Sequence, residues 1–452
     1  MMVSLLPRGM DGTKRVRLKG ERTTMHTSVN HLRQTWRRRA EPWYVAYGLL
    51  GAALGGLVPI LIPLTVGRVG DVLDVGLVMA AFHLGELAAP LWGGLADRYG
   101  GQRGLATGGL LVTAIALAAF PWTTTPAGWI GLAVLGGLGG VTATTLAPLF
   151  VVHVYPPEEW DERLSWLHAF YDGGGVAGLL LAGGLSQTHV RGGLLTAAGL
   201  TATAAILAWL TIRAPLGPST PRAERLRPAR HGDVALASLR GHGHQPTLDT
   251  LRQLLPALWS PFHRFLMVWL LALIGSSALF ALYPILMQEV FAIPPALSSL
   301  TYAVAGGLRL LVYPLAGHWS MRFGQLRVLR VALGVRLLAF GSLFALAMMP
   351  LDGQRWLALP IVTVVVLAWP LLSVSSTALT AHLSPVGEGE GMGIFKAVSA
   401  LAGVIGAALA GALAARWGYG TSLGLAVAGV ALALLLSTQI RPVRAESTTA
   451  SD

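Results

Sequence analysis

Apolar residues in this chain collect into long runs, separated by short stretches rich in charge, proline and glycine. WYVAYGLLGAALGGLVPILIPLTVG (43–67) is one of many such runs. At ~1.5 Å per residue, a run of this length crosses a hydrocarbon core of about 30 Å as a helix. In lipid every backbone polar group must be satisfied within the structure, so a spanning segment is either a helix or a strand of a closed barrel. Barrel strands would show as alternating segments of about ten residues, and none is found. The pattern predicts an all-α membrane protein with twelve transmembrane helices: 43–66, 75–95, 103–121, 127–152, 163–186, 190–213, 264–288, 295–318, 326–348, 357–382, 391–415 and 418–440. A polar linker at 214–263 divides them into two six-helix bundles, 43–213 and 264–440. A basic tail (1–42) precedes them and a short one (441–452) follows.

Composition agrees: 54% of residues are hydrophobic and 12% charged, against about 25% charged in a soluble domain. Where the charges fall says more. With the N-terminus inside, the segments on that side hold 26 of the 33 Lys+Arg. The outside loops hold only Arg68, Arg191, Arg355 and Arg416, while Arg309, Arg336 and Lys396 fall within spans. Lys and Arg concentrate in the cytoplasmic loops of membrane proteins, so a multi-pass cell-membrane protein with both termini cytoplasmic is expected. The net charge of +12 then reads as topology and contact with anionic headgroups, and no aromatic-interleaved basic patch points to nucleic acid.

The first forty residues lack the apolar core of a signal peptide, so span 1 is expected to anchor the chain. Met25 offers a second in-frame start, and the residues before it are assigned no function. The chain has no cysteine, which excludes disulfides, thiol catalysis and thiolate metal sites. The histidines of HGDVALASLRGHGH (231–244) lie in the polar linker and read as solvated, not as a metal site. LDTLRQLLPALW (248–259) fits an interfacial helix or a solvated one equally well. No GxxxxGK[ST] loop occurs, so ATP does not drive the protein directly, and neither cofactor nor metal is expected.

One polar interruption has its own chemistry. GGLADRYGGQRG (93–104) joins span 2 to span 3 on the inside, with Asp97, Arg98 and Arg103 among glycines that allow a tight turn. A shift of 224 residues carries Gly93, Arg98, Gly100 and Arg103 onto Gly317, Arg322, Gly324 and Arg327 of GHWSMRFGQLR (317–327), between spans 8 and 9. A second echo pairs VAGLLLAGGL (176–185) with VIGAALAGAL (404–413), identical at six of ten positions. Matched copies in matched halves indicate an internal repeat of the kind transporters use.

These residues resemble the major facilitator superfamily, whose loop between helices 2 and 3 reads Gly-x-x-x-Asp-Arg-x-Gly-x-Arg/Lys-Arg/Lys. Gly93, Asp97, Arg98, Gly100 and Arg103 match it. Gln102 replaces one basic residue, and Met321 stands at the acidic position of the second copy. The resemblance runs from span 1 to span 12 and implies two bundles that rock about a central site. It also implies that helix 2 packs on helix 11 and helix 5 on helix 8, and that helices 1, 4, 7 and 10 line the cavity. In this reading Asp97 meets the N-terminus of helix 11, around Gly391–Gly393, when the cytoplasmic side is closed, gaining about 0.3–1 kcal/mol from the helix dipole. The stretch and its copy (Gly93, Asp97, Arg98, Gly100, Arg103, Gly317, Arg322, Gly324, Arg327) are expected to form a conformational latch. Two departures matter: helix 4, LAVLGGLGGVTATT (132–145), lacks the arginine of drug–proton antiporters, and helix 5, DGGGVAGLLLAGG (172–184), lacks their proline. The motifs therefore do not establish drug export.

A charge within a span costs at least ~2.5–3.5 kcal/mol, which makes each one a functional candidate. They are His83 and Glu86 in span 2, His168 and Asp172 in span 5, Arg309 in span 8, Arg336 in span 9 and Lys396 in span 11. His83 and Glu86, three residues apart, share a helix face, and a desolvated carboxylate is suited to exchanging protons near neutral pH. With the helix pairing that the resemblance implies, matching depths along the helices give an expected Asp172–Arg309 pair and an expected Glu86–Lys396 pair between the bundles. Arg336 lies on a helix that the resemblance turns toward lipid; snorkelling and packing against its own half are both open to it, and it is assigned no role. Phe280, Tyr283 and Trp369 are candidate substrate contacts.

The function expected is a secondary active transporter, and proton-linked export of a small amphipathic compound fits best. Its partners are lipid, protons and that compound, and it is expected to act as a monomer. Uptake of a small organic anion, favoured by the intramembrane arginines, is the alternative within transport. An enzyme would need acid, base and nucleophile clustered near one interface, and a receptor would need a folded extramembrane domain; neither is found.

Overall fold

The computed structural model describes residues 41–89, 91–92, 101–156, 159–212, 260–349, 353–385 and 388–440. Among these the chain forms twelve helical segments and no strand. The first half comprises α1 (Trp43–Gly67), α2 (Val72–Glu86), α3 (Gln102–Ala119), α4 (Pro126–Val154), α5 (Trp160–Thr188) and α6 (Val190–Thr211). The second comprises α7 in two pieces (Pro261–Phe280 and Tyr283–Phe291), α8 (Pro295–Phe323), α9 (Gln325–Met348), α10 in two pieces (Gln354–Leu367 and Trp369–Leu383), α11 (Glu388–Trp417) and α12 (Tyr419–Ser437).

Local chemistry explains the boundaries. Asp71 and Asp74 form a capping box at the start of α2, each carboxylate accepting from the other residue's backbone N–H at 3.1 and 3.2 Å. The helix ends at Glu86, short of the expected 95, and Pro90 supplies a reason: it has no N–H to donate four residues back. Pro284 and Pro370 open the second pieces of α7 and α10 and interrupt both helices for the same reason. Each half also places a glycine with positive φ just before its third helix, Gly101 at +69° and Gly324 at +88°.

Ten helices are long and apolar enough to cross a membrane. The other two are α2, with 15 residues, and α5, which is long but more polar. They carry His83, Glu86, His168 and Asp172. In α5, the polar groups that weaken the membrane signal include candidates for the site.

Within the first half, α1 and α5 meet backbone to backbone. A Cβ on Gly174 would run into the Gly48 carbonyl, and one on Gly178 into the Ala52 carbonyl. Opposite this contact α1 widens into a π-helical turn, Gly51–Leu57, a distortion frequent at functional sites.

The halves join along α2–α11, α5–α8 and the outer pieces of α1 and α7, so helices 2 and 11 and helices 5 and 8 pair as the resemblance implies. The tightest of these contacts lie on the side away from the termini: Gly76 against Gly411, Gly67 against Ile285, and Gly183 against Ala296 and Ser299. A Cβ on Gly76 would come within 2.6 Å of the Gly411 Cα, so only glycine lets α2 and α11 approach this closely. Between the halves, the partly exposed Glu86 of α2 and the exposed His168 of α5 lie within electrostatic range of the exposed Lys396 of α11, and the space these groups share is the cleft.

Of the two placements open to Arg336, snorkelling or packing against its own half, the structure has the second: it is 1% exposed, inside the second half.

Candidate functional site

The α5–α8 contact carries an ion pair. Arg309 Nη2 lies 3.5 Å from Asp172 Oδ1, with side chains 19% and 26% exposed. The two residues sit at similar depth because α5 and α8 run antiparallel, and the small residues Gly183 and Gly306 bring the helices together. Tyr171, the preceding residue on α5, packs its ring 5.1 Å from Tyr47 of α1.

On α2, His83 Nδ1 lies 2.8 Å from Glu86 Oε2. The Glu86 side chain remains 43% exposed, so the pair faces open space between the halves. A Cβ on Gly403 of α11 would come within 2.5 Å of the His83 ring, which places that ring at the inter-bundle seam. Lys396 acts on Glu86 electrostatically, yet no ion pair of Lys396 is found among the described residues. The carboxylate is held by its own helix neighbour, one turn away, in place of the expected lysine across the seam. His168 and Lys396 are exposed and within electrostatic range of one another.

The membrane-embedded charges are therefore divided by sign. Both carboxylates, Glu86 and Asp172, come from the first half, and Arg309 and Lys396 face them from the second.

Aromatic groups line the second half. Trp369, half-buried at the α10 break, lies 6.2 Å from Trp269 of α7, which stacks on Phe395 of α11 at 4.6 Å and donates its indole N–H to Ser399 Oγ at 2.8 Å. Phe280, Tyr283 and Tyr302 form a second group with ring centroids 5.5–6.2 Å apart. Phe280 is half-buried. Tyr283 is buried, and its hydroxyl donates to the Ser298 carbonyl at 2.9 Å; it belongs to the wall and offers no free group. Trp269, Tyr302 and Phe395 escape a sequence reading because each lies in an apolar run where nothing sets aromatic residues of the wall apart from aromatic residues facing lipid.

At the basic end a further network ties α1 to α5. Arg163, 7% exposed, reaches Glu159 at 2.8 Å and Glu41 at 3.3 Å, and stacks 3.5 Å over the Tyr155 ring. Burial, reinforced by the Glu41 carboxylate, pushes the Tyr155 hydroxyl pKa up and keeps it protonated.

Of the latch stretch, Gly93, Asp97, Arg98 and Gly100 lie outside the described residues. Arg103 covers the Trp209 ring of α6 at 4.1 Å, and Arg322 and Arg327 are exposed on the basic side with Gly317 near them in sequence. If Asp97 holds the basic side shut, Asp97→Asn is expected to increase labelling of single cysteines placed along the cleft and to depress transport. The cysteine-free chain makes this a clean measurement, and unchanged labelling and transport would remove the latch role.

Two bundles, twelve helices and a charged central cleft define a transporter. The chain belongs to the Major Facilitator Superfamily, which it matches across residues 43–388. No curated protein matches it. Solved structures share the fold at low identity. A variant of the nucleoside transporter NupG aligns with TM-score 0.70 at 12% identity, covering 88% of this chain and 98% of that one. A D-xylose–proton symporter gives TM-score 0.69 at 15% identity over 88% and 97% of the two chains. The human organic anion transporter MFSD10 gives 0.58 at 18% identity over 89% and 99%.

Proposed function

We propose that this protein is a secondary active transporter working by alternating access, which exports a small amphipathic compound in exchange for protons. The observation that carries the reading is the division of charge across the seam, with carboxylates on one half and cations on the other, beside an aromatic wall suited to an apolar body. Inter-bundle ion pairs hold one state. Protonating a carboxylate, or inserting a cargo, weakens them and frees the halves to rock. The D-xylose–proton symporter among the fold neighbours is consistent with coupling to protons.

The basic side is assigned to the cytoplasm of a cell membrane by its excess of Lys and Arg, and a monomer suffices for the mechanism.

Glu86 is the proposed proton carrier, with His83 as its hydrogen-bonded partner and Lys396 nearby. Glu86→Gln in proteoliposomes is expected to abolish accumulation driven by an imposed pH gradient and to spare cargo exchange. Retained gradient-driven accumulation would remove Glu86 from coupling. Uptake of a small organic anion remains a second reading because the embedded cations of the second half outnumber the carboxylates.

A further inference from the structure

Three cations sit within the spans of the second half, away from the helix ends: Arg309, Arg336 and Lys396. The first half supplies two carboxylates within its spans, Glu86 and Asp172. Asp172 is matched by Arg309 at 3.5 Å, and Glu86 lies in the field of Lys396. Arg336 is left over.

Its surroundings contain no acid among the described residues. One guanidinium nitrogen, Nη2, donates to Ser276 Oγ at 2.9 Å. The group lies 5.2 Å from the centre of the Phe340 ring and 5.8 Å from that of Trp369, and Tyr302 is within electrostatic range. Nε is buried with no hydrogen-bond partner. A guanidinium offers five N–H donors, so a single serine leaves most of its capacity unused. A buried cation without a counter-charge is expensive, and its field is poorly screened in a low-dielectric interior. Trp369, whose ring it approaches, and Tyr302, within its electrostatic range, are both half-buried.

We propose that the cargo carries an anionic group, a carboxylate or phosphate, which docks on the wall at Trp369 and Tyr302 and neutralises the uncompensated charge of Arg336. Arg336 acts from behind that wall as a positioning residue that selects for charge. The inference rests on the cleft being a transporter's cargo site, and it narrows an amphipathic cargo to an amphipathic anion.

The test uses the purified full chain in chloride-free buffer and a panel of amphipathic monocarboxylates and monophosphates. Each is paired with its uncharged amide or ester and with an amine of the same skeleton, and the melting temperature is followed by tryptophan fluorescence. The wild type is expected to be stabilised by members of the anionic set only. Arg336→Gln should weaken that response by about ten-fold or more, and Arg336→Lys should keep part of it. Without ligand, Arg336→Gln should melt no lower than wild type, because removing an unpaired buried charge relieves a cost.

Equal stabilisation by amides or amines, a panel without any stabilising anion, or an unchanged response in Arg336→Gln would each overturn the proposal. So would chloride alone reproducing the shift and blocking every carboxylate and phosphate, since an inorganic ion would then be the counter-charge. A ligand-free variant melting well below wild type with its anion response intact would make Arg336 structural. Counterflow of the same compounds into vesicles separates the two levels. Anion-specific stabilisation without flux contradicts transport while keeping the anion site, and flux indifferent to charge does the reverse.

Discussion

Asp172→Asn should leave the protein folded and inserted yet reduce transport by about ten-fold or more. Losing the carboxylate strands Arg309 at the α5–α8 seam, 19% exposed and with no other ion-pair partner among the described residues. Leaving a partly buried charged donor unpaired costs about 1–3 kcal/mol, and the cost falls on the conformation in which the two helices touch. Arg309→Asn should do similar harm by stranding Asp172. The double exchange, Asp172→Arg with Arg309→Asp, restores opposite charges at the same depth and should recover more transport than either single exchange, since contacting residues are not additive. Initial rates in proteoliposomes, normalised to inserted protein, provide the measurement. A double exchange no better than the worse single one would mean that the pair is adjacent without being coupled.

A larger loss, of stability this time, is expected from Gly178→Val. The side chain would enter the space taken by the Ala52 carbonyl of α1, in the stretch where Gly56 and Gly178 also meet. Overpacking a core costs about 1–3 kcal/mol when side chains can move aside; here the obstacle is backbone, so the upper end or more is expected. Valine should therefore separate α1 from α5 and sharply lower both the melting temperature and the monodisperse yield after extraction. Gly184→Ala is the control on the same helix, because a Cβ there meets nothing within 4 Å. A stable Gly178→Val protein would show that α1 and α5 do not need this close approach.

Several features were legible along the chain. The membrane helices show because lipid imposes a one-dimensional rule: twenty apolar residues in a row, whatever packs around them. Lys and Arg mark the side of the loops by an equally local rule, and the glycine-punctuated Asp-Arg stretch with its copy marks the family. The Asp172–Arg309 contact could be anticipated once the resemblance set helix 5 against helix 8, because antiparallel helices of known ends fix heights at ~1.5 Å per residue.

Rotation about a helix axis could not be read this way. When every face of a helix is apolar, no amphipathic pattern says which one turns inward. For that reason the sequence leaves Arg336 of α9 free to snorkel or to pack within its own half, and nothing in it marks Trp269, Tyr302 and Phe395 as an aromatic group. The partner of Glu86 was decided locally: His83, three residues away on the same face, holds the carboxylate at 2.8 Å, while Lys396 across the seam acts on it only electrostatically. Nor does any stretch of sequence say where the two halves touch most closely. That depends on backbone approaches such as Gly76 on Gly411, where residues 335 positions apart must come together. Sequence alone determined a twelve-helix transporter of this superfamily, its repeat and its charge asymmetry, because each is set by local solvation. Only the tertiary structure decided which charges meet, which one is left unpaired and where the halves touch backbone to backbone, because those follow from how apolar helices turn and pack against one another.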